Sequence, residues 1–387
     1  MMSLSYQIIQ NPDAFQNLRE RWNALNADSA FPSLFMTWEW QFSWWQAFGG
    51  NPFIILIQDE GRDVAILPFV AEGKTLFTQL HPIGSPHSDY LDFLIRKGEE
   101  SRVADYFFRS VLLENRRIGI VVIDAVNERS PLAQWFEDGN PPGFWKVFRE
   151  KRICPYLSLP GSFDACLENL TPKTRYFIRR KIRKVEKDFA VTVGIVQERA
   201  ELDERMEEFF KQHQARWTAR GRPGAFDDDA FRNFHRLAAA RLFDTGHLKL
   251  FYLELDGKPA ASYYLFQYQG ALLFYLTGFD PAFARYSPGA VLLTRAIQYA
   301  IEAHCREFDF MRGITPYKFK WGNNTRTNHS FWLVRIRPST IVYFLEQWVL
   351  HRAGAFIKRN LSPRGKRLIR NALPEWVIRT FDRFFQE

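Results

Sequence analysis

The sequence predicts a mixed α/β (α+β) protein made of two similarly ordered halves and a basic helical tail. Strand-like and helix-like segments alternate over residues 1–160, and a similar order returns over residues 161–338. Four turn-forming residues separate the halves: Pro155, Pro160, Gly161 and Pro172. We therefore expect domains at residues 1–160 and 161–338, and a helical extension at residues 339–387.

The first half contains short apolar runs and amphipathic segments in alternation. Predicted strands are Ser5–Ile9, Phe53–Ile57, Val64–Val70, Tyr90–Ile95 and Ile118–Ile123. Predicted helices are Asn11–Leu25, Trp38–Phe48 and Ser101–Asn115. Gly49 and Gly50 follow the second of these helices and are expected to end it.

The second half opens with a basic helix, for which Thr171 can provide the cap and Pro172 the first residue. The expected strands are Val191–Val196, Leu248–Leu255, Ala260–Tyr268, Ala271–Gly278, Glu307–Met311 and Phe331–Ile336. The further helices are Leu202–Trp217, Asp228–Phe243 and Pro288–Ala303. Both faces of Tyr263–Phe266 are apolar, which predicts a central strand.

Composition indicates a globular protein from a reducing compartment. Hydrophobic residues make up 46% of the chain and charged residues 25%, which argues against disorder. The three cysteines are too few and too scattered for a disulfide framework, and neither they nor the dispersed histidines form a metal-binding pattern. We expect no metal and a cytoplasmic location.

The net charge of +9 is concentrated in two segments. Residues 171–187 hold eight Lys or Arg against one Glu, and residues 351–387 hold nine against three acids. Such local basicity indicates two surfaces for phosphates or anionic lipid, and argues against a uniformly basic nucleic-acid coat.

The tail combines this positive charge with many large apolar residues, including Trp348, Phe356, Trp376 and Phe381. One alternative is that its helices pack on the body and turn their charges to water. The other is that they lie on the inner membrane surface, since Ile341–Leu350 is too short to span a bilayer.

Two segments carry the residues from which a site could be built. In the first, a strand ends near Gly278 and Ser287-Pro288-Gly289 opens a long helix. A helix start offers free N–H groups and a positive dipole end to an anion, and Gly289 allows close approach. In the second, residues 308–311 form a strand that leads into a loop rich in charged and aromatic residues. These are Arg312, Tyr317, Lys318, Lys320 and Trp321.

The segments SPG, FDFMRG and YKFKW, in this order, resemble the GNAT-type acyltransferases of the CelD group, which are associated with cellulose and exopolysaccharide biosynthesis. FMTWEWQFSWWQAFG, DYLDFLI, TRYFIRRKIRK and HQARWTARGRPGAF are also similar to segments of that family. The resemblance covers roughly residues 20–335 and implies two tandem GNAT-like domains, related to the Fem-type aminoacyl transferases of peptidoglycan cross-bridge synthesis.

The resemblance also implies a reaction and its residues. GNAT enzymes transfer an acyl group, here expected to be acetyl, from acyl-coenzyme A to an amine or hydroxyl acceptor. Cofactor contacts would come from Arg285, Ser287, Gly289 and Ala290, although Pro288 replaces a glycine of the usual pattern. The candidate catalytic residues are Asp309 as base, Tyr317 as acid and Lys318 as an anion ligand. Candidate substrate contacts are Arg179, Arg216, Trp217, Arg312 and Trp321.

Other interpretations remain open at this stage. A Fem-like transferase using aminoacyl-tRNA would explain the basic helix and the imperfect coenzyme A pattern. A non-catalytic module that binds nucleic acid or anionic glycan would rest on the basic segments alone. The acceptor could be a small molecule, a glycan or a peptidoglycan precursor, and the sequence does not choose among them.

Overall fold

The computed structural model describes residues 4–346, except residues 140, 220, 222, 223 and 323. In these residues, thirteen strands form one mixed sheet with helices packed against it. The predicted fold class is therefore confirmed. Residues 338–346 form a helix where the helical extension is expected to begin, and residues 347–387 lie outside the described part.

The first half supplies seven strands: β1 (Leu4–Ile9), β2 (Asn51–Asp59), β3 (Arg62–Gly73), β4 (Thr78–Pro82), β5 (Leu94–Ile95), β6 (Ile118–Asn127) and β7 (Phe144–Ser158). Its helices are α1 (Pro12–Gln16), α2 (Arg19–Ala27), α3 (Trp38–Phe48), α4 (Glu100–Tyr106), α5 (Leu112–Glu114) and α6 (Pro131–Asp138). The side chain of Thr37 caps α3, and Gly49 ends this helix with a φ of 70°. Only glycine adopts that conformation without strain.

The second half supplies six strands: β8 (Val191–Ile195), β9 (Leu248–Leu255), β10 (Lys258–Tyr268), β11 (Ala271–Phe279), β12 (Glu307–Asp309) and β13 (Asn324–Arg335). Its helices are α7 (Phe163–Glu168), α8 (Pro172–Asp188), α9 (Arg199–Thr218), α10 (Asp229–Asp244) and α11 (Pro288–Glu302). The hydroxyl of Thr171 accepts a hydrogen bond from the Thr174 N–H and caps α8, as the sequence predicts.

The order of strands joins the two halves into one sheet. It runs β1-β2-β3-β4-β6-β13-β7-β12-β11-β10-β9-β8, with β5 paired to β3. Strand β13 comes from the second half but lies between β6 and β7 and is antiparallel to both. The proposed boundary near residue 160 stays a prediction, and β13 is a physical connection across it.

The hydrophobic core also crosses between the halves. Trp40 of α3 stacks edge to face on Phe234 of α10, with ring centroids 4.8 Å apart, and both belong to one cluster of buried residues. A second cluster lies between the sheet and α8 and α11, and a third lies beneath α4, α5 and α6. Aromatic residues therefore hold the halves in a fixed relation.

Several elements differ from their predicted form, and the helix expected at Asn11–Leu25 is divided into α1 and α2. The strand expected at Tyr90–Ile95 is reduced to Leu94–Ile95, because the preceding residues form a loop that contacts the second half. A π-helix at Phe107–Val111 interrupts the helix expected at Ser101–Asn115. Strand β13 begins at Asn324, seven residues before the predicted start. Among the described helices, none is both long and apolar enough to cross a membrane.

Candidate functional site

The site is built where β11 separates from its parallel neighbour. Strands β11 and β12 pair only over Ala271–Leu273 and Glu307–Asp309. Beyond these residues β11 continues to Phe279 without β12 beside it, and a 3₁₀ turn leads to α11. The carboxyl ends of parallel strands, where a helix start follows, are the places where α/β sheets bind ligands.

Ser287 stands at the turn into α11 in a left-handed conformation with a φ of 58°. Its hydroxyl makes no capping hydrogen bond to the backbone of α11. Because Pro288 has no N–H, the first backbone donor of the helix is that of Gly289. The start of α11 therefore keeps the positive dipole end that the sequence predicts.

Tyr263 ties this helix start to the central sheet. Its hydroxyl donates to the carbonyl oxygen of Gly289, and a Cβ placed on Gly289 would lie 3.2 Å from that hydroxyl. Burial raises the pKa of Tyr263, nearby Tyr317 raises it further, and Arg216 opposes the rise. Sequence reasoning missed Tyr263, since an apolar central strand gives no sign that one of its tyrosines points at a helix start.

Arg216 and Tyr317 complete this group of residues. The guanidinium of Arg216 donates from Nη1 to the carbonyl oxygen of Thr277, 3.1 Å away, and to the Thr277 hydroxyl. Burial raises the pKa of Tyr317 to about 12, against the effect of Arg216. We call Arg216, Tyr263, Thr277, Gly289 and Tyr317 the donor-side cluster. It brings together three of the predicted site residues.

Positive charge lies next to the donor-side cluster. The ring of Tyr286, which precedes Ser287, has Arg285 and Lys184 each 4.8 Å from its centroid. The predicted cofactor contact Arg285 is therefore beside the start of α11. Trp217 follows Arg216 on α9 and donates from Nε1 to His213 Nε2 over 3.2 Å.

Asp309 belongs to a different group of residues at the junction of the halves. It is completely buried, accepts a hydrogen bond from the Tyr90 hydroxyl at 2.7 Å, and accepts another from the Met311 N–H. Arg326 Nη1 lies 3.7 Å from the same carboxylate. Burial raises the pKa of Asp309 to about 6, although Arg326 and the two hydrogen bonds favour the charged form.

Arg312 also contacts the first half. Its backbone N–H donates to Asp89 over 3.2 Å, and its Nη2 donates to the carbonyl oxygen of Pro86 over 2.9 Å. Asn328 of β13 donates to the other oxygen of Asp89. The carboxylates of Asp89 and Asp309 therefore link a loop of the first half to two strands of the second half and to the residues after β12.

Lys318 is buried beneath the same loop. Its ammonium donates to the carbonyl oxygens of Phe310, Met311 and Arg312 at 2.7, 3.1 and 2.7 Å. Burial lowers the pKa of Lys318 to about 8, while Asp89 and Asp309 oppose the decrease. We call Asp89, Tyr90, Asp309, Arg312, Lys318 and Arg326 the seam network. Asp309, Arg312 and Lys318 thus share the seam network, whereas Tyr317 interacts with Tyr263 and Arg216 of the donor-side cluster.

The other predicted residues lie outside both groups. Trp321 is buried in the hydrophobic cluster beneath α8 and α11. Arg179 lines a groove of about 490 Å³ on α8, together with Arg175, Tyr176 and Arg183. The described residues contain no group of His, Cys, Asp and Glu that could hold a metal ion.

Comparison with known proteins identifies the fold of the region that contains these residues. Residues 172–319, which contain the donor-side cluster, match the family model described as an acetyltransferase (GNAT) domain. The second half therefore has the GNAT fold. No curated protein matches the sequence.

Solved structures extend the likeness to both halves. FemX aligns with a TM-score of 0.58 and 11% identity, over 85% of this chain and 96% of its own. L-PGS from Bacillus licheniformis aligns with a TM-score of 0.51 and 12% identity, over 87% and 95%. The C-terminal domain of a putative lysylphosphatidylglycerol synthetase from Agrobacterium fabrum gives 0.50 and 13%, over 88% and 98%. At these identities the likeness shows the fold alone.

Proposed function

We propose that the protein is a GNAT-type acyltransferase that moves an acyl group from acyl-coenzyme A to an amine or hydroxyl acceptor. The supporting observation is the start of α11, where Ser287 and Gly289 follow the part of β11 that extends beyond its pairing with β12. The pyrophosphate of the donor would bind the helix N-terminus, with Arg285 and Lys184 beside it. Acetyl is the acyl group we expect from the resemblance.

The residues of the donor-side cluster suit the transfer step. The acceptor nitrogen or oxygen attacks the thioester carbonyl, a base takes the acceptor proton, and the carbon–sulfur bond breaks. Tyr317 is the proposed acid that protonates the leaving thiolate, because its pKa of about 12 keeps the hydroxyl protonated at neutral pH. Arg216 would hold an anionic part of a substrate near Thr277.

The proposed roles of Asp309 and Lys318 change with their surroundings. Lys318 donates to three backbone carbonyls and Asp309 accepts from Tyr90, so both are occupied within the seam network. These contacts favour positioning of the loop that carries Tyr317 over direct contact with substrate. The acceptor proton would then be taken by a group of the acceptor itself or by water.

The acceptor and the cellular setting rest on the CelD resemblance. It suggests a cytoplasmic enzyme of cell-envelope or exopolysaccharide metabolism, acting on a glycan, a peptidoglycan precursor or another small molecule. Transfer of radiolabel from acetyl-coenzyme A to a panel of amino sugars and polyols would test this class of acceptor.

Replacement of Gly289 by Val tests the donor site. A larger side chain there meets the Tyr263 hydroxyl and fills the helix start. Wild-type protein should gain about 2.7 kcal/mol of stability at a donor concentration of 100 times Kd, measured by thermal shift with acetyl-coenzyme A. We expect Gly289→Val to lose this gain while it stays folded. Gly73→Val, in open space at the end of β3, is the matched control. Unchanged donor affinity in Gly289→Val would refute the placement.

A Fem-like transfer from aminoacyl-tRNA is the second candidate. The observation that favours it is the exposed basic face of α8, where Arg175, Arg179 and Arg183 surround Tyr176, whose side chain is 60% exposed. Arginine beside an exposed aromatic ring suits the phosphates and bases of RNA. Activity that requires charged tRNA and is lost in Arg179→Ser would select this donor.

A non-catalytic module is the remaining alternative. It predicts that the protein binds RNA or an anionic glycan, with a strong decrease in affinity as salt rises, and shows no transfer from either donor. Gly289→Val would leave such binding unchanged, because Gly289 lies at the start of α11 and the basic face lies on α8.

A further inference from the structure

An exposed apolar patch surrounds the helix formed by residues 338–346. Its large side chains are Leu76, Trp145, Ile336, Val342 and Leu345, and we call these five residues the C-terminal patch. Val342 and Ile336 are 65% and 63% exposed. Monomeric proteins rarely expose contiguous apolar surface of this kind without a binding role.

Contacts of neighbouring residues place these side chains around the same helix. The ring of Phe344 lies 5.7 Å from that of Trp145, so Trp145 adjoins the helix that carries Val342 and Leu345. Tyr343 packs on Phe77, the residue after Leu76, with centroids 5.3 Å apart. The N–H of Ile336 donates to the carbonyl oxygen of Gly143, two residues before Trp145.

Cations surround the C-terminal patch. Arg149 lies 4.3 Å above the ring of Trp332, and Lys74 lies 5.5 Å from that of Tyr343. Arg337 donates to the carbonyl oxygen of Arg116, and the side chains of Arg116 and Arg117 are exposed. Glu72 partly offsets Lys74, and Glu346 is the acid on the helix. The net charge of the side chains named around the C-terminal patch is therefore positive.

We propose that the C-terminal patch docks the protein on an anionic bilayer surface. Exposed Trp, Leu, Ile and Val side chains would enter the interface, while the surrounding Arg and Lys would meet the headgroups. None of the described helices can span a bilayer, so the contact would be peripheral. This inference does not depend on the transfer reaction or on the identity of its donor.

The sequence beyond residue 346 supports this occupant. The chain leaves the described residues at the C-terminal patch, and residues 351–387 carry nine Lys or Arg against three acids. The positive charge of this segment complements an anionic surface, whereas it does not complement the cations around the patch. An anionic bilayer attracts both the patch and the segment, at about a factor of five in affinity per cation near the surface.

Vesicle flotation with the full-length protein tests the proposal. We expect binding to vesicles of phosphatidylcholine with phosphatidylglycerol, weaker binding at high salt, and little binding to phosphatidylcholine alone. The double variant Val342→Ser, Leu345→Ser should bind at least tenfold more weakly. Arg116→Ser with Arg117→Ser should weaken binding about 25-fold. Tyr176→Ser is the matched control, because it removes an exposed aromatic ring in the other basic region.

Three outcomes would overturn the proposal. The first is absence of wild-type binding to anionic vesicles at low salt. The second is equal weakening by Tyr176→Ser and by the Val342 and Leu345 pair. The third is a wild-type dimer in light scattering that the pair dissociates, which would assign the patch to a second copy of the chain. Urea unfolding of the Val342 and Leu345 variant, measured in parallel without lipid, should match that of wild type and confirms that the variant is folded.

Discussion

Tyr317 and Lys318 are adjacent in sequence, yet they belong to two regions with opposite character. Tyr317 is 36% exposed, it raises the pKa of Tyr263, and Arg216 opposes the increase in its own pKa. Lys318 is buried and donates to three backbone carbonyls in the seam network. The loop that carries both residues thus has one side chain at a surface that can bind a ligand and another in the interior, where it holds the loop in place.

Charged residues that crowd after a strand differ in whether the protein itself satisfies their hydrogen bonds. A buried charge is costly unless it is paired and hydrogen-bonded, so a lysine or carboxylate that satisfies this condition within the protein is engaged there. The seam network meets this condition for Asp309 and Lys318. Tyr317 is instead partly exposed and has an arginine near enough to act on its pKa, which is a better starting point for chemistry.

The largest expected effect is on stability, in the variant Lys318→Met. Three buried carbonyl oxygens lose their donor, at about 1–3 kcal/mol each, while the cost of burying an ammonium is relieved. We expect a net loss of about 3 kcal/mol in the free energy of unfolding by urea. Lys320→Met, on an exposed side chain two residues later, should change it by less than about 0.5 kcal/mol. Equal effects of the two variants would contradict the seam network.

Tyr317→Phe should have the opposite profile. Loss of a general acid lowers kcat about 100-fold, which corresponds to about 2.7 kcal/mol in the barrier. The free energy of unfolding should change little, because the ring stays in place and the residue is partly exposed. Steady-state kinetics with acetyl-coenzyme A measure kcat, and urea unfolding of the same samples measures the free energy of unfolding. Full activity with reduced stability in this variant would show that Tyr317 has a structural role and is not the general acid.

Sequence reasoning found the elements of the fold better than the grouping of the site. Hydrophobic periodicity and caps placed α8, α11 and β9 within a residue or two of their observed bounds. It could not show that β13 inserts between β6 and β7, because a strand's periodicity does not name its neighbours. For the same reason, Tyr90 and Asp89 were not seen as partners of residues that lie more than two hundred positions away.

Asp309→Asn should change how stability depends on pH. The folded-state pKa of Asp309, about 6, lies above its ordinary value of 3.8, so the folded protein binds the proton more tightly. Its contribution to stability is present in full below pH 3.8 and is lost as pH rises through 6. Between pH 4.5 and 7.5, wild type should lose about 2 kcal/mol relative to Asp309→Asn in urea unfolding. An unchanged difference across this range would show that the carboxylate has an ordinary pKa.

Tyr90→Phe is expected to have the smallest effect on the free energy of unfolding, and it tests directly whether the two regions are independent. It removes the hydroxyl that donates to Asp309 over 2.7 Å, and a hydrogen bond to a charged group contributes about 1.5–3 kcal/mol. We expect a loss of about 1.5 kcal/mol at pH 7.5, because Arg326 still lies 3.7 Å from the carboxylate. The hydroxyl also favours the charged form of Asp309, so its removal should raise that pKa further and extend the pH-dependent loss of stability to higher pH. Affinity for acetyl-coenzyme A, measured by calorimetry, should stay at the wild-type value because Tyr90 has no contact with the donor-side cluster. If donor affinity fell in Tyr90→Phe while unfolding stayed unchanged, the boundary between the two regions would have to be redrawn with Asp309 on the side of the chemistry.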